Sequence, residues 1–590
     1  MFGMRGRLWL VGRLLIAITF ISPFAHAQYT DNFQTNIVSG VTSNWSGNYF
    51  VGNTNFADAL LIESGGVLAD ANAYLGQNSS SSNNSALVTG TGSVWNGSGL
   101  YVGYSGAGNG LVISKGGNVV SGNSIVGLYS SSNTVVITDS GSVWSNSGTL
   151  TFGYWGANNT LVIDNDGGLV SSNCYVGYNV WSCGNSVLVS GSGSVWSNGG
   201  NFYLGLNGAG NSLVISNGGA VDSSSGGNYT FVGSSSSASS NNSVLVTGVG
   251  SVWSISGSMS LGWGAASNSL VVEDGGQVIA ATATVGSDHS GTNSVLITGA
   301  NSVWSNSGTL HIGAGAGSGN SVIISNGARM VAGTAYLGSH SNNNKVRVVD
   351  GGAWENAELF IGLVASGDLL VVDGGSVSAS SQLFIGPGGS CDNVAELDNG
   401  SITVTNRTGT AALEVVTGQV IMNGGVLRVD SLIVNGVCAR FFHYGGTLIY
   451  RNLELDPALS AVGDGIPNDW KQQYGLDPLD PNLANKDVAG TGFTVLQDYL
   501  AGVDPTNPAA AFRITSVVPQ TNDLLVTWTM GPNRTNALQA AAGDVNGGYN
   551  TNSFADIFTV TNTVGTVTNY LDAGAATNVP SRYYRVRLVP

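Results

Sequence analysis

Short apolar runs separated by turn clusters recur along most of this chain. Asn211 to Gly233 shows the unit: Leu213-Val214-Ile215, then the turn Asn217-Gly218-Gly219, then Val221, then Thr230-Phe231-Val232. Glycine supplies the positive-φ positions that such turns need. No apolar stripe of 3.6-residue period crosses a unit, and β-branched residues abound. Each unit therefore predicts three short strands and no helix.

The units keep a beat. G-S-V-W recurs at Trp95, Trp144, Trp196 and Trp253, and N-S-V-W at Trp304, with looser copies at Trp45 and Trp354. The spacings are 50, 49, 52, 57, 51 and 50 residues. A finer marker is an Asn or Asp before an apolar run, from Asp58, Asn84 and Asn109 through to Asn344, Asp368 and Asn393, at intervals of 24 to 27 residues with one of 31. An aromatic or aliphatic pair followed by Gly closes each unit, as in Y-F-V-G at Gly52 and L-Y-V-G at Gly103. A unit of ~25 residues cannot bury its apolar face alone, but it can when stacked on copies of itself. The expected fold is all-β: a long parallel β-helix of about 14 or more coils, alternating a coil with Trp and one without. At ~4.8 Å per coil, 14 coils make a rod about 65 to 70 Å long.

Composition narrows the function. Of 590 residues, 88 are Gly and 9% are charged, with a net charge of −16. That balance argues against nucleic acid and anionic membranes as partners. Low charge suits stacked coils, in which like charges would face each other. Residues 1–27 read as a secretory signal: Arg5, Arg7 and Arg13, then an apolar core over 14–21, then Ala25-His26-Ala27. No later stretch is apolar enough to span a membrane, so the expected location is extracellular or at the cell surface. In an oxidising compartment Cys174 and Cys183 could close a local disulfide, and Cys391 and Cys438 another.

The pattern V-T-G-x-G-S-V-W-x-N-S-G-x-L-x-x-G, followed by a Gly/Asn turn and L-V-I-S-N-G-G-x-V, resembles the T5SS/PEP-CTERM-associated repeat. It is clearest over 88–119, 189–221 and 295–327. The resemblance covers roughly residues 40–395 and implies an autotransporter-passenger-like β-helix on an exported bacterial protein. A C-terminal translocation barrel and a sorting helix followed by basic residues, both found with such repeats, have no counterpart here. Neither route is therefore part of the expectation.

The repeat β-helix is expected over 28–395, with its last coils and cap over 396–455. Composition then changes. Residues 456–510 hold D-G-I-P-N-D-W-K and D-V-A-G-T-G-F-T-V-L-Q-D, and resemble the paired calcium loops of dockerin and thrombospondin type 3 modules. In such a loop, positions 1, 3, 5 and 12 supply oxygens and Gly stands at 6. Asp487, Thr491 and Asp498 match positions 1, 5 and 12 of a second loop, with Ala489 at 3. Asp464 matches position 5 of a first loop, running from Ser460, whose position 12 is Lys471. The resemblance implies Ca²⁺ mainly through the second loop, with the alternative of decayed loops kept as a compact linker. Residues 511–590 alternate apolar and polar positions and predict a small β-sandwich resembling a fibronectin-type-III module, with Trp528 and Tyr584 in its core.

The candidate functional residues are the column Trp95, Trp144, Trp196, Trp253 and Trp304. Because each follows Val in a strand of constant length, the first reading is that they fill a fixed place in the coil. The other is an exposed platform for sugar rings. The Asn column reads as a hydrogen-bonding ladder from coil to coil. A polysaccharide-cleaving enzyme would need clustered carboxylates and basic residues against substrate charge. Between 40 and 395 the basic side chains are Lys115, Arg329, Lys345 and Arg347, without a catalytic motif around them. The expectation is a secreted, non-catalytic structural or adhesive rod. The alternatives are a polysaccharide-binding protein and, behind it, a pectin-lyase-like enzyme.

Overall fold

The computed structural model describes residues 29–589 except 224–228, 235–236, 289–290, 389–390 and 562–564. The signal sequence read over 1–27 lies outside them. The described chain is all-β: a parallel β-solenoid of about 16 turns, followed by small antiparallel sheets at the C-terminal end. Sixteen turns at ~4.8 Å give a rod of about 75 Å.

One coil shows how the sequence makes the wall. Gly110–Ser114, Asn118–Ser121 and Asn123–Val126 are its three strands. Leu111, Ile113, Val119 and Val126 point inward and are almost wholly shielded from water. Alternation along each strand sends the residues between them outward. Each strand pairs in parallel with its counterparts one coil before and one coil after. Ala86, Leu111, Val135, Leu161, Val187 and Leu213 form one inward column of this kind. A one-residue slip would turn every such column to solvent, so the apolar pattern locks the register. Between the first two strands of a coil the chain turns through left-handed backbone, as at Asn217 (φ 53°) and Gly218 (φ 86°), a conformation that Asn and Gly adopt at least cost. The strands Ser212–Ser216, Ala220–Ser223 and Tyr229–Ser234 are the three read from the sequence around Leu213, Val221 and Phe231.

The coils continue without a break past residue 395 to the strand Asn452–Leu455. The next segment carries two short helices, Asn468–Gln473 and Val495–Ala501. Ala461 and Leu479 join the solenoid core, and Phe441 N donates to Ala461 O at 2.8 Å. This segment thus covers the apolar end of the last coils, which would otherwise face water. Two three-stranded antiparallel sheets follow. One holds Ile514–Gln520, Asp523–Thr529 and Val567–Asp572; the other holds Ala555–Val560, Asn536–Gly543 and Ser581–Leu588. Val526 and Trp528 from the first sheet and Leu538 from the second share one core. Trp528 is fully buried and donates Nε1 to Asn536 Oδ1 at 2.8 Å. Tyr584 packs half-buried against that core.

Cys391 and Cys438 are joined, with Cα atoms 5.7 Å apart. The local Cys174–Cys183 disulfide does not form, and both thiols are free. The pleat is the reason. Cys174 points inward from the strand Cys174–Val176, between Leu150 and Phe202, whereas Cys183 lies in the turn beyond, with Sγ donating to Val180 O.

Candidate functional site

The tryptophan column is core. Trp95, Trp144, Trp196, Trp253, Trp304 and Trp354 are all at most 2% exposed. Register sets them in strict alternation with smaller side chains: Leu68, Trp95, Val119, Trp144, Leu169, Trp196, Val221, Trp253, Val278, Trp304, Met330 and Trp354. An indole in every coil would overfill a space only one strand spacing deep, so it alternates with an aliphatic residue. This is the physical origin of the 50-residue period. Trp144 and Trp196 donate their indole N–H to Ser121 and Ser171 Oγ at 2.9 and 3.0 Å. Trp95 donates to Asp70 Oδ2 at 2.7 Å. Burial pushes that carboxyl up to about 6, against the pull of the indole hydrogen bond. With these rings enclosed, the column offers no platform to a ligand.

The Asn column is a continuous amide ladder, buried throughout. Asn84 N and Nδ2 donate to Asn109 Oδ1 at 2.9 and 2.8 Å. The same pair of bonds recurs from Asn109 to Asn133, from Asn133 to Asn159, and onward to Asn344, which donates to Asp368. The ladder explains the glycine that ends each third strand. A Cβ on Gly177 (φ 81°) would lie 2.3 Å from Asn211 Nδ2, and Gly103 is placed the same way against Asn133. Asn and Gly are thus one joint requirement of the wall.

Basic residues do not converge. Arg329 Nε donates to Glu355 Oε1 at 2.6 Å and holds that carboxyl below its ordinary range. Lys345 and Arg347 stand exposed on another strand.

The two calcium-like loops differ. In the first, Lys471 Nζ lies 2.8 Å from Asp464 Oδ2, and both side chains are buried. This is an ion pair without a well-directed hydrogen bond. Asp464 Oδ1 meanwhile accepts from Ser460 Oγ and Ile466 N at 2.7 and 3.0 Å. The ammonium supplies the positive charge that a loop cation would bring, so these residues do not fit Ca²⁺. In the second, Asp487 accepts from Gly492 N and Thr491 N at 2.7 and 3.0 Å, and these bonds hold its carboxyl low. Thr491 Oγ1 accepts from Phe493 N. Asp498 is buried, and desolvation followed by the charges of Asp487 and Asp504 pushes its carboxyl up to about 6. Among the described residues no three His, Cys, Asp or Glu side chains gather as a metal site. The second loop offers two carboxylates and the Thr491 hydroxyl, so a Ca²⁺ shell there would have to be completed by backbone carbonyls and water.

What the sequence reading passed over is on the outside. In L-Y-V-G and its variants the flanking residues face in, so the middle residue faces out. Register stacks these middle residues into ladders. Phe50, Tyr74 and Tyr101 have ring centroids 5.1 and 4.8 Å apart. Tyr175, Tyr203 and Phe231 follow at 4.9 and 5.1 Å, with Phe231 itself buried. His311, Tyr336, Phe360 and Phe384 follow at 4.8, 4.9 and 5.3 Å. The turns beyond carry further aromatics, of which Tyr129, Trp155 and Trp181 are 59%, 40% and 70% exposed. Period-two alternation in the Y-x-G runs was the signal that could have found them.

No family model matches this chain, and no curated protein matches it. No helix among the described residues is long and apolar enough to cross a membrane.

Proposed function

We propose that this protein is a secreted or cell-surface rod, structural or adhesive and non-catalytic, that acts through contacts repeated along its length. One observation carries the reading. The residues that define the repeat (Trp, Asn and the strand-ending Gly) are all consumed inside the wall, by packing and by coil-to-coil hydrogen bonds. A repeat whose invariant positions build wall makes length, and length multiplies weak contacts through effective concentration. The likeness to the T5SS/PEP-CTERM-associated repeat and the basic-then-apolar N-terminus support export. Of the four Lys and Arg side chains between 40 and 395, Arg329 is paired with Glu355 and so is not free to meet an acidic substrate.

The test is to remove pairs of coils in register, for example residues 110–159, and measure attachment of the purified protein to extracellular matrix from bacterial biofilm. Attachment is expected to fall in steps with coil number. Release of new reducing ends from matrix polysaccharide by the intact chain would overturn the reading.

A further inference from the structure

We infer that the turns following the third strand of four consecutive coils form a binding strip for an uncharged polysaccharide lying along the rod axis. This rests on the rod reading above and names its ligand class and contact face.

The strip is made of Tyr104, Tyr129, Tyr154, Trp155, Tyr178 and Trp181. Backbone bonds tie each turn to the one before: Tyr129 N donates to Tyr104 O, Trp155 N to Leu128 O, and Asn179 N to Tyr154 O, at 2.9, 2.9 and 3.2 Å. Tyr129 and Trp155 therefore occupy the same position in adjacent coils; in the next coil that position is Asn179, and the exposed Trp181 stands two residues further along the same turn. The rings meet at steep angles. Tyr104 and Tyr129 are inclined at 73°, and Tyr154 and Trp155 at 70°. Tyr154 and Tyr178, by contrast, stack at 4.7 Å and 13° and cover each other's faces, so the open faces are those of the exposed Tyr129, Trp155 and Trp181. Exposed flat aromatics set one strand spacing apart suit a linear ligand with a repeat along the same axis.

Charge selects the ligand. Residues 97–109, 122–133, 147–159, 172–185 and 199–211, the third strands and turns around the strip, contain no Asp, Glu, Lys, Arg or His. The chain as a whole carries −16. An acidic polysaccharide would be repelled by the molecule and find no counter-charge on this face, and a second copy of the rod brings the same negative field. The polar groups present are amides and hydroxyls. Asn179 and Asn207 side chains brace the turns by donating to Tyr154 O and Tyr178 O at 2.7 and 3.0 Å. Open aromatic faces among uncharged hydrogen-bonding groups match the C–H faces and hydroxyls of neutral sugars.

The experiment is affinity electrophoresis of the full chain in gels containing mixed-linkage β-glucan, xylan, galactomannan, dextran or polygalacturonate. At least one neutral polymer is expected to retard the protein, and polygalacturonate is not. Trp155→Ala and Trp181→Ala should each weaken retardation about threefold to tenfold, and the double variant should abolish it. Both residues are exposed, so an unchanged thermal midpoint checks that the fold persists. No retardation by any neutral polymer, retardation by polygalacturonate alone, or full retardation of the double variant would each overturn the inference. If coil-dependent matrix attachment persists through such a result, only the strip is lost and the rod reading stands.

Discussion

Asp368 is, with Asp58 at the start of the column, one of two carboxylates in a buried ladder otherwise made of Asn, and its carboxyl makes that rung sensitive to pH. Its Oδ1 accepts from Asn344 N and Nδ2 at 2.9 and 2.8 Å, and its own N–H donates to Asn393 Oδ1 at 3.1 Å. Its Oδ2 is buried without a hydrogen-bond partner. Burial pushes the group from its ordinary 3.8 up to about 7, against the pull of the Asn344 bonds. A folded pKa above the unfolded one means the folded state holds the proton more tightly. The stability it brings is complete below about pH 4 and is lost as pH rises through about 7. That interval corresponds to about 4 kcal/mol. Asp368→Asn should remove most of this dependence. Near pH 4.5 the variant and parent should unfold at similar urea concentrations. Near pH 8 the variant should be more stable by about 2 to 4 kcal/mol, part of the full value being relieved by local relaxation. Emission of the buried tryptophans reports the unfolding. A residual slope of the same sign should remain, because burial also raises Asp58 and Asp70 to about 6. Parallel stability curves for the two proteins from pH 4.5 to 8 would refute the reasoning.

Three further outcomes are expected. Trp196→Ala empties a fully enclosed site between Leu169 and Val221 and should cost about 3 to 5 kcal/mol in denaturation; Trp181→Ala should cost almost nothing, and equal costs would contradict the core assignment. Lys471→Ala strands the Asp464 carboxylate beneath the cap and should destabilise that segment by about 3 to 5 kcal/mol in hydrogen exchange, whereas Asp464→Asn with Lys471→Met should recover most of it. Replacing Cys391 and Cys438 by Ser opens a link across 47 residues and should cost about 4 kcal/mol of chain entropy, visible as a lower thermal midpoint that reductant no longer changes.

The parallel β-helix was legible in the sequence because its causes are local and repeated. Alternation in runs such as Leu213-Val214-Ile215 sets which residues face in, and the turn Asn217-Gly218 sets where the strand ends. Repetition at a constant interval then leaves stacking as the way to cover the apolar face. The burial of Trp95 and its counterparts followed from the same pleat, as did the amide ladder. Other features depended on neighbours that spacing along the chain does not reveal. Cys174 and Cys183 are close in sequence, yet the pleat sends one thiol into the core and leaves the other in a turn. Lys471 looked like a failed calcium ligand, and only packing of the cap showed it buried as the partner of Asp464. Tyr129, Trp155 and Trp181 were passed over in the sequence, where they carry no shared motif. Their alignment in one uncharged strip was decided by the register of adjacent coils, because a side chain's lateral neighbours come from strands some 25 residues away and are fixed when those strands pair.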